Sequence, residues 1–252
     1  MQIKKTFNSI ANSTTNSKSK INILHLDKSK NFIQAEKLGK EILFEFSYEF
    51  FYQKSSGIFN AFNEALNIVN SEYIYFLNTG DTFLNKKSLE LIIDECQEDK
   101  KPDFIFFDIG FFRNNQFKVK KSSIDIIKCL NLFSKEFPSH QACIFKTNLH
   151  KNIYYPNYFG SDEFVIRYFL KKCISKFSYK YVENVICLFD LEGISSRSRI
   201  SILQFFHRTY GYLLMGLFHR IFADILKLYP ICIFRKNIVK ITRRIIFVFD
   251  NL

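Results

Sequence analysis

Ser71-Glu-Tyr-Ile-Tyr-Phe-Leu-Asn-Thr-Gly-Asp81 is the stretch on which the reading of this chain turns. Tyr73 to Leu77 run without a polar break and read as a strand buried on both faces, as in a parallel sheet. The run breaks at once into Asn78-Thr79-Gly80-Asp81. In open α/β sheets ligands bind just beyond the carboxyl ends of such strands. Gly80 permits a tight bend there, and Asp81 projects an oxygen ligand into the crevice. A carboxylate so placed suits a hard divalent cation, which in turn suits a diphosphate. Taken alone, the same four residues read more readily as a polar turn.

Working outward, Ser56 to Val69 sets Ile58, Phe62, Ala65, Leu66 and Val69 on one face, an amphipathic helix leading into the strand. Upstream, the pattern predicts a helix over Ile3–Ile10, a polar stretch over Ala11–Lys20 and a strand over Ile21–Leu26 ending at Asp27. A helix over 32–42 and an aromatic extended segment over Ile42–Tyr52 follow. Downstream it predicts a helix near Ser88–Cys96 with Asn85 or Ser88 as N-cap. Strands are expected at Phe104–Phe107, Ala142–Phe145 and Val182–Phe189, with a helix over Asp162–Lys172. This alternation argues for an α/β domain with a mostly parallel sheet over residues 1–199.

At 252 residues and 30.0 kDa, with 47% hydrophobic residues and 31 Phe, the chain has room for one such domain plus an appendage. Its six cysteines form no Cys-x-x-Cys pair and sit among apolar residues, so buried, reduced thiols are expected rather than metal ligands. Met1 to Lys20 is polar, and no apolar run is long enough to span a bilayer, so a cytoplasmic location is expected. The net charge of +12 is uneven: Arg197 to Leu252 carries ten Lys or Arg against two acidic residues.

From Ile200 onward Phe, Leu and Ile clusters alternate with basic residues, as in Phe205-Phe206-His207-Arg208 and Arg243-Arg244-Ile245-Ile246. Over 200–252 this suits amphipathic helices lying on an anionic membrane surface, each basic residue contributing about 1 kcal/mol. A helical pair packed on the domain with a solvated basic rim is the competing reading. Nucleic acid is not expected as a partner, since the basic residues sit among aliphatic runs and no recognised module appears.

Gly57-Ile-Phe-Asn-Ala-Phe-Asn63 together with Tyr73 to Asp81 resembles the family 2 glycosyltransferases of the GT-A fold, whose pattern is D-x-G-I-Y-D-A-M-N-K-G and then Y-I-x-F-L-N-S-G-D. Ser55 and Asn60 stand where that family usually has aspartates. The resemblance continues, in order, through His140-Gln141, Ser161-Asp162 and Gly193-Ile194-Ser195-Ser196. It implies an inverting transfer of a sugar from a nucleotide diphosphate donor to a lipid-linked or polysaccharide acceptor, in bacterial surface glycan synthesis at the inner face of the cytoplasmic membrane.

On the donor side the resemblance implies that Asp27 accepts hydrogen bonds from the nucleotide base, although Lys28-Ser29-Lys30 replaces the family's Gly-Gly-Ser. Gly57, Asn60, Asn63, Asn78, Thr79 and Gly80 frame the donor. Asp81 holds Mg²⁺ or Mn²⁺ against the diphosphate, with Asn78 or Thr79 at the more variable first metal position. On the acceptor side Asp162 is the general base, with Glu163 as the alternative, and His140, Gln141, Arg167 and Ser195 contact acceptor or phosphate. Each assignment has a structural rival: Asp27 in a plain turn, His140 satisfied near a strand start, Asp162 capping a helix, Arg167 paired with Glu163 at i,i+4, and Ser195 in a loop.

Members of that family open with a buried strand ahead of the helix matched by Ile3–Ile10. Burying four large aliphatic side chains contributes about 6–12 kcal/mol, against a whole-domain stability of about 5–15 kcal/mol. Three expectations follow: a start further upstream, another segment in that place, or a catalytically inactive, truncated relative associated with a membrane.

Overall fold

Apolar periodicity sets the elements. The computed structural model describes residues 2–13, 21–113, 116–130, 134–156 and 160–190, with 206, 209, 210 and 213. The chain divides into two compact units, Met1–Ser196 and Arg197–Leu252, and every element below belongs to the first. Ser195 with its Gly-Ile-Ser-Ser turn, and the basic segment 200–252 apart from four positions, lie outside the described residues.

In chain order the elements are α1 (Gln2–Ala11), β1 (Asn22–Asp27), α2 (Phe32–Ile42), β2 (Ser47–Tyr52), α3 (Ile58–Ile68), β3 (Tyr73–Tyr75), β4 (Thr82–Phe83) and α4 (Ser88–Gln97). They continue with β5 (Phe104–Arg113), β6 (Gln116–Lys120), α5 (Ile126–Leu130), a 3₁₀ turn (His140–Ala142), β7 (Cys143–Lys146), α6 (Thr147–His150), α7 (Ser161–Cys173) and β8 (Tyr179–Phe189).

β1 and β2 form a parallel pair in register from Asn22↔Ser47 to Asp27↔Tyr52. The larger sheet runs β3-β7-β5-β8-β4, with β6 added to the outer half of β5. Among the described residues of this sheet only β5 and β8 are parallel neighbours; β7 opposes both β3 and β5, and β4 opposes β8. The expected mostly parallel sheet is therefore corrected to a mixed one. The physical reason is that helices cover both faces, so an inserted antiparallel strand is as apolar as a parallel one. Among the described residues no ladder joins β1 to β3.

Two apolar layers sandwich the sheet. Phe104 and Phe106 of β5 face α3, α5 and α7 through Phe62, Leu66, Ile126, Val165 and Phe169. Ile105, Phe107 and Ile109 face α1, α2 and α4 through Ile3, Phe7, Ala35, Leu89 and Ile92. Phe104 to Phe107 are all completely buried, each contributing about 1.5–3 kcal/mol. β3 and the two residues after it divide the same way, with Ile74 and Phe76 to one layer and Tyr73, Tyr75 and Leu77 to the other. The expected strand over Tyr73–Leu77 is therefore corrected to a shorter antiparallel edge strand, buried on the Ile74 and Phe76 face and half-buried on the other. Of the cysteines, Cys129, Cys143 and Cys187 are buried free thiols, and Cys96 and Cys173 are half-buried.

Candidate active site

The polar residues after β3 close into a turn because Asp81 N–H donates to the Asn78 carbonyl at 3.0 Å and Gly80 takes a φ of +105°. A side chain is strained at that φ. α1 lies against this turn: Thr6 Oγ1 donates to the Asp81 carbonyl at 2.9 Å and accepts from Gly80 N–H at 3.0 Å. Asp81 is 2% exposed. Its Oδ1 accepts the backbone N–H of Asp190, at the end of β8, at 2.8 Å. Its Oδ2 is buried with no hydrogen-bond partner. Burial pushes the Asp81 carboxyl up to about 6; the Asp190 N–H draws it down, and the Asp190 charge adds to the rise.

Sequence reasoning gave no role to Thr6, Gln2 or Asp190. Only the fold brings α1 and the end of β8 to the Asn78–Asp81 turn. The one signal for Asp190 was its place straight after an apolar strand.

β1 and β2 end beside one another, and there Asp27 is occupied locally. Its Oδ1 accepts Ser29 N–H at 2.6 Å and its Oδ2 accepts Ser29 Oγ at 2.9 Å, the Asx-type turn of the structural reading. The loop into α3 is held by Glu64, whose two oxygens accept Lys54 N–H and Ser55 N–H, each at 2.9 Å. The Gln53 amide donates to the Gly57 carbonyl at 2.8 Å, and Gly57 itself has a φ of +105°. Asn60 turns back on the same loop, donating to the Ser56 carbonyl at 2.7 Å.

Two residues expected at the site sit inside the core instead. Asn63 is buried and pairs with the Tyr155 backbone, accepting its N–H at 2.8 Å and donating to its carbonyl at 2.9 Å. His140 is buried among Phe62, Phe76 and Phe145, with Nε2 2.6 Å from the Tyr155 hydroxyl. His150 Nε2 meets that hydroxyl from the other side at 2.7 Å. Burial holds His140 down to about 3 and His150 to about 4, so both are neutral. In this structure Asn63 spends both polar atoms of its amide on the Tyr155 backbone, while His140 meets Tyr155 through Nε2 and keeps a buried, unpartnered Nδ1. Gln141 offers its carbonyl to the Tyr75 hydroxyl at 2.7 Å.

α7 starts after Gly160, which takes the left-handed conformation, and carries Asp162 and Glu163 in its first turn. Arg167 is buried, with Nη2 2.9 Å from Glu163 Oε1, Nη1 on the Leu130 carbonyl at 3.2 Å, and its guanidinium 4.7 Å over the Phe137 ring. It therefore follows the pairing reading, and Glu163 is engaged with it. Asp162 is half-buried; after burial, its charge is the next cause holding the Tyr155 phenol well above its ordinary value.

No protein-family model matches the chain. A methionine–tRNA ligase of Picrophilus torridus is 31% identical over 99 residues, which is 37% of this chain and only 14% of that protein. Solved structures match more of it. TarS 1–349 of S. aureus in complex with UDP superposes with a TM-score of 0.56 at 15% identity, covering 74% of this chain and 56% of that one. A mannosyltransferase, PcManGT of Pyrobaculum calidifontis, in complex with GDP-Man and Mn²⁺, superposes with a TM-score of 0.54 at 12% identity, covering 75% and 52%. The chain has the GT-A glycosyltransferase fold. It spans about half the length of these solved chains.

On the GT-A fold the donor set can be tested against a divalent cation. Asp81, in the turn between the edge strand β3 and β4, supplies a hard oxygen with an unmet lone pair, which fits Mg²⁺ or Mn²⁺. Among the described residues no cluster of three or more His, Cys, Asp or Glu exists. Phosphate oxygens and water would have to complete the shell, as Mg²⁺ commonly accepts.

Proposed function

We propose that this chain is an inverting, metal-dependent transferase that moves a sugar from a nucleotide diphosphate donor to a lipid-linked or glycan acceptor. The observation that carries the reading is the buried, unmet Oδ2 of Asp81 in the turn between β3 and β4, on a fold whose solved relatives were captured with UDP and with GDP-Man plus Mn²⁺. Asp81 would hold Mg²⁺ or Mn²⁺, which as a Lewis acid neutralises charge on the departing diphosphate. Gly57 and the Asn78–Asp81 turn frame the donor. Asp162 takes the proton from the acceptor hydroxyl; inversion requires that base opposite the leaving group and in line with it. The basic, apolar segment 200–252 supports peripheral attachment to an anionic membrane surface on the cytoplasmic side.

An inactive relative is the second reading, favoured by the Asp27 oxygens already taken by Ser29 and by the burial of Asp81 under α1. Calorimetric titration of UDP and GDP, with and without Mn²⁺, separates the two. Metal-dependent binding that is lost in Asp81→Asn is the expected result. Absence of binding by either nucleotide in the presence of Mn²⁺ would overturn the transferase reading.

A further inference from the structure

We propose that Asp190 is the second carboxylate ligand of the cation held at Asp81, in the place that the sequence pattern offers to Asn78 or Thr79. The proposal rests on the reading of Asp81 as a metal ligand.

Asp190 lies 109 residues from Asp81, yet its N–H is anchored on Asp81 Oδ1 at 2.8 Å. That bond fixes the Asp81 carboxylate with one oxygen satisfied and the other, Oδ2, buried and unmet. The turn is shaped to admit the second carboxylate. A Cβ on Gly80 would meet Asp190 Oδ2 at 2.6 Å, so the absent side chain is what lets Asp190 lie against the backbone of the Asn78–Asp81 turn. Gln2 of α1 donates its amide to the same Oδ2 at 3.1 Å, steadying it from an exposed position.

A buried carboxylate oxygen without a partner costs free energy, and a second carboxylate beside it adds to that cost. A divalent cation between them offsets both, and hard cations accept two carboxylates with phosphate and water completing the shell. Asn78 and Thr79 are poorer candidates. The Asn78 side chain is a neutral amide turned on the Asp81 carboxylate itself, and Thr79 is exposed beside the turn.

The test is Mn²⁺ binding to the full chain, followed by the loss of the free-ion electron paramagnetic resonance signal, for the wild type, Asp81→Asn, Asp190→Asn and Asp190→Glu. Asp190→Asn keeps the backbone N–H on Asp81, and circular dichroism checks folding. The wild type is expected to bind; Asp81→Asn and Asp190→Asn should each weaken Mn²⁺ by about tenfold or more. Asp190→Glu should retain most of the affinity, and the Mn²⁺-induced rise in melting temperature should vanish in Asp190→Asn. If Asp190→Asn binds like the wild type while Asp81→Asn does not, Asp190 is no ligand and the Asp81 reading stands. If the wild type does not bind Mn²⁺, with or without UDP, both fall. Should Asp190→Asn fail to fold, Asp190→Ser carries the same comparison.

Discussion

Replacing Asp81 by Asn in metal-free protein should stabilise the fold at neutral pH and leave it unchanged in acid. Burial pushes the carboxyl from 3.8 to about 6. At 1.36 kcal/mol per pH unit, its ionised form therefore costs the folded state up to about 3 kcal/mol. The sign follows from proton counts. Below about pH 4 the group is neutral in both the folded and the unfolded chain. Between pH 4 and about 6 the folded protein keeps a proton that the unfolded chain has released, so wild-type stability falls as pH rises through that window. Above it the penalty is constant. Asn never ionises, so its advantage should be near zero at pH 4 and full at pH 7.5, less the cost of an amide donor where Oδ2 lies unmet. For a domain of this size a gain of 1 kcal/mol raises the melting temperature by about 2–4 °C, which makes the upper limit roughly 6–12 °C. Thermal melts of both proteins in EDTA from pH 4 to 8 measure it. A difference between the two melts that does not change with pH would refute the reasoning.

Gly80→Ala should lose Mn²⁺ binding and cost about 1–2 kcal/mol for the backbone alone, because its Cβ also displaces Asp190 Oδ2; melting and metal titration read both. Asn63→Ala strips the Tyr155 backbone of two buried partners and should cost about 2–4 kcal/mol in urea unfolding. His140 and His150 are held neutral below the ordinary histidine value, so stability should decline as pH falls below about 6.5, by up to two protons per molecule. His150→Phe should make that acid limb shallower. Asp162→Asn should lower turnover by about 10²–10⁴-fold with donor binding intact; in a sugar-transfer assay with titrated UDP, loss of donor affinity instead would assign Asp162 a structural role.

Elements whose physics is local were legible in the chain. Ile3 and Phe7 on α1, Phe62, Ala65 and Leu66 on α3, and Ile74 and Phe76 of the Tyr73–Leu77 run bury as their periodicity requires. Asp81 could be singled out because a polar turn that ends a buried strand has few uses. The direction of β7 was not legible, since an apolar run covered on both faces carries no mark of strand sense. Nor were the roles of Asn63 and His140: both are polar residues whose partner, Tyr155, lies 92 and 15 residues away, and only packing decides whether such a group meets ligand or core. Asp190 is the sharpest case. In the sequence it is one acidic residue after a strand; in the fold, its backbone grips Asp81 from 109 residues away. Hydrogen bonds over such separations depend on how the sheet orders its strands, and that order is set by the whole core rather than by any segment of it.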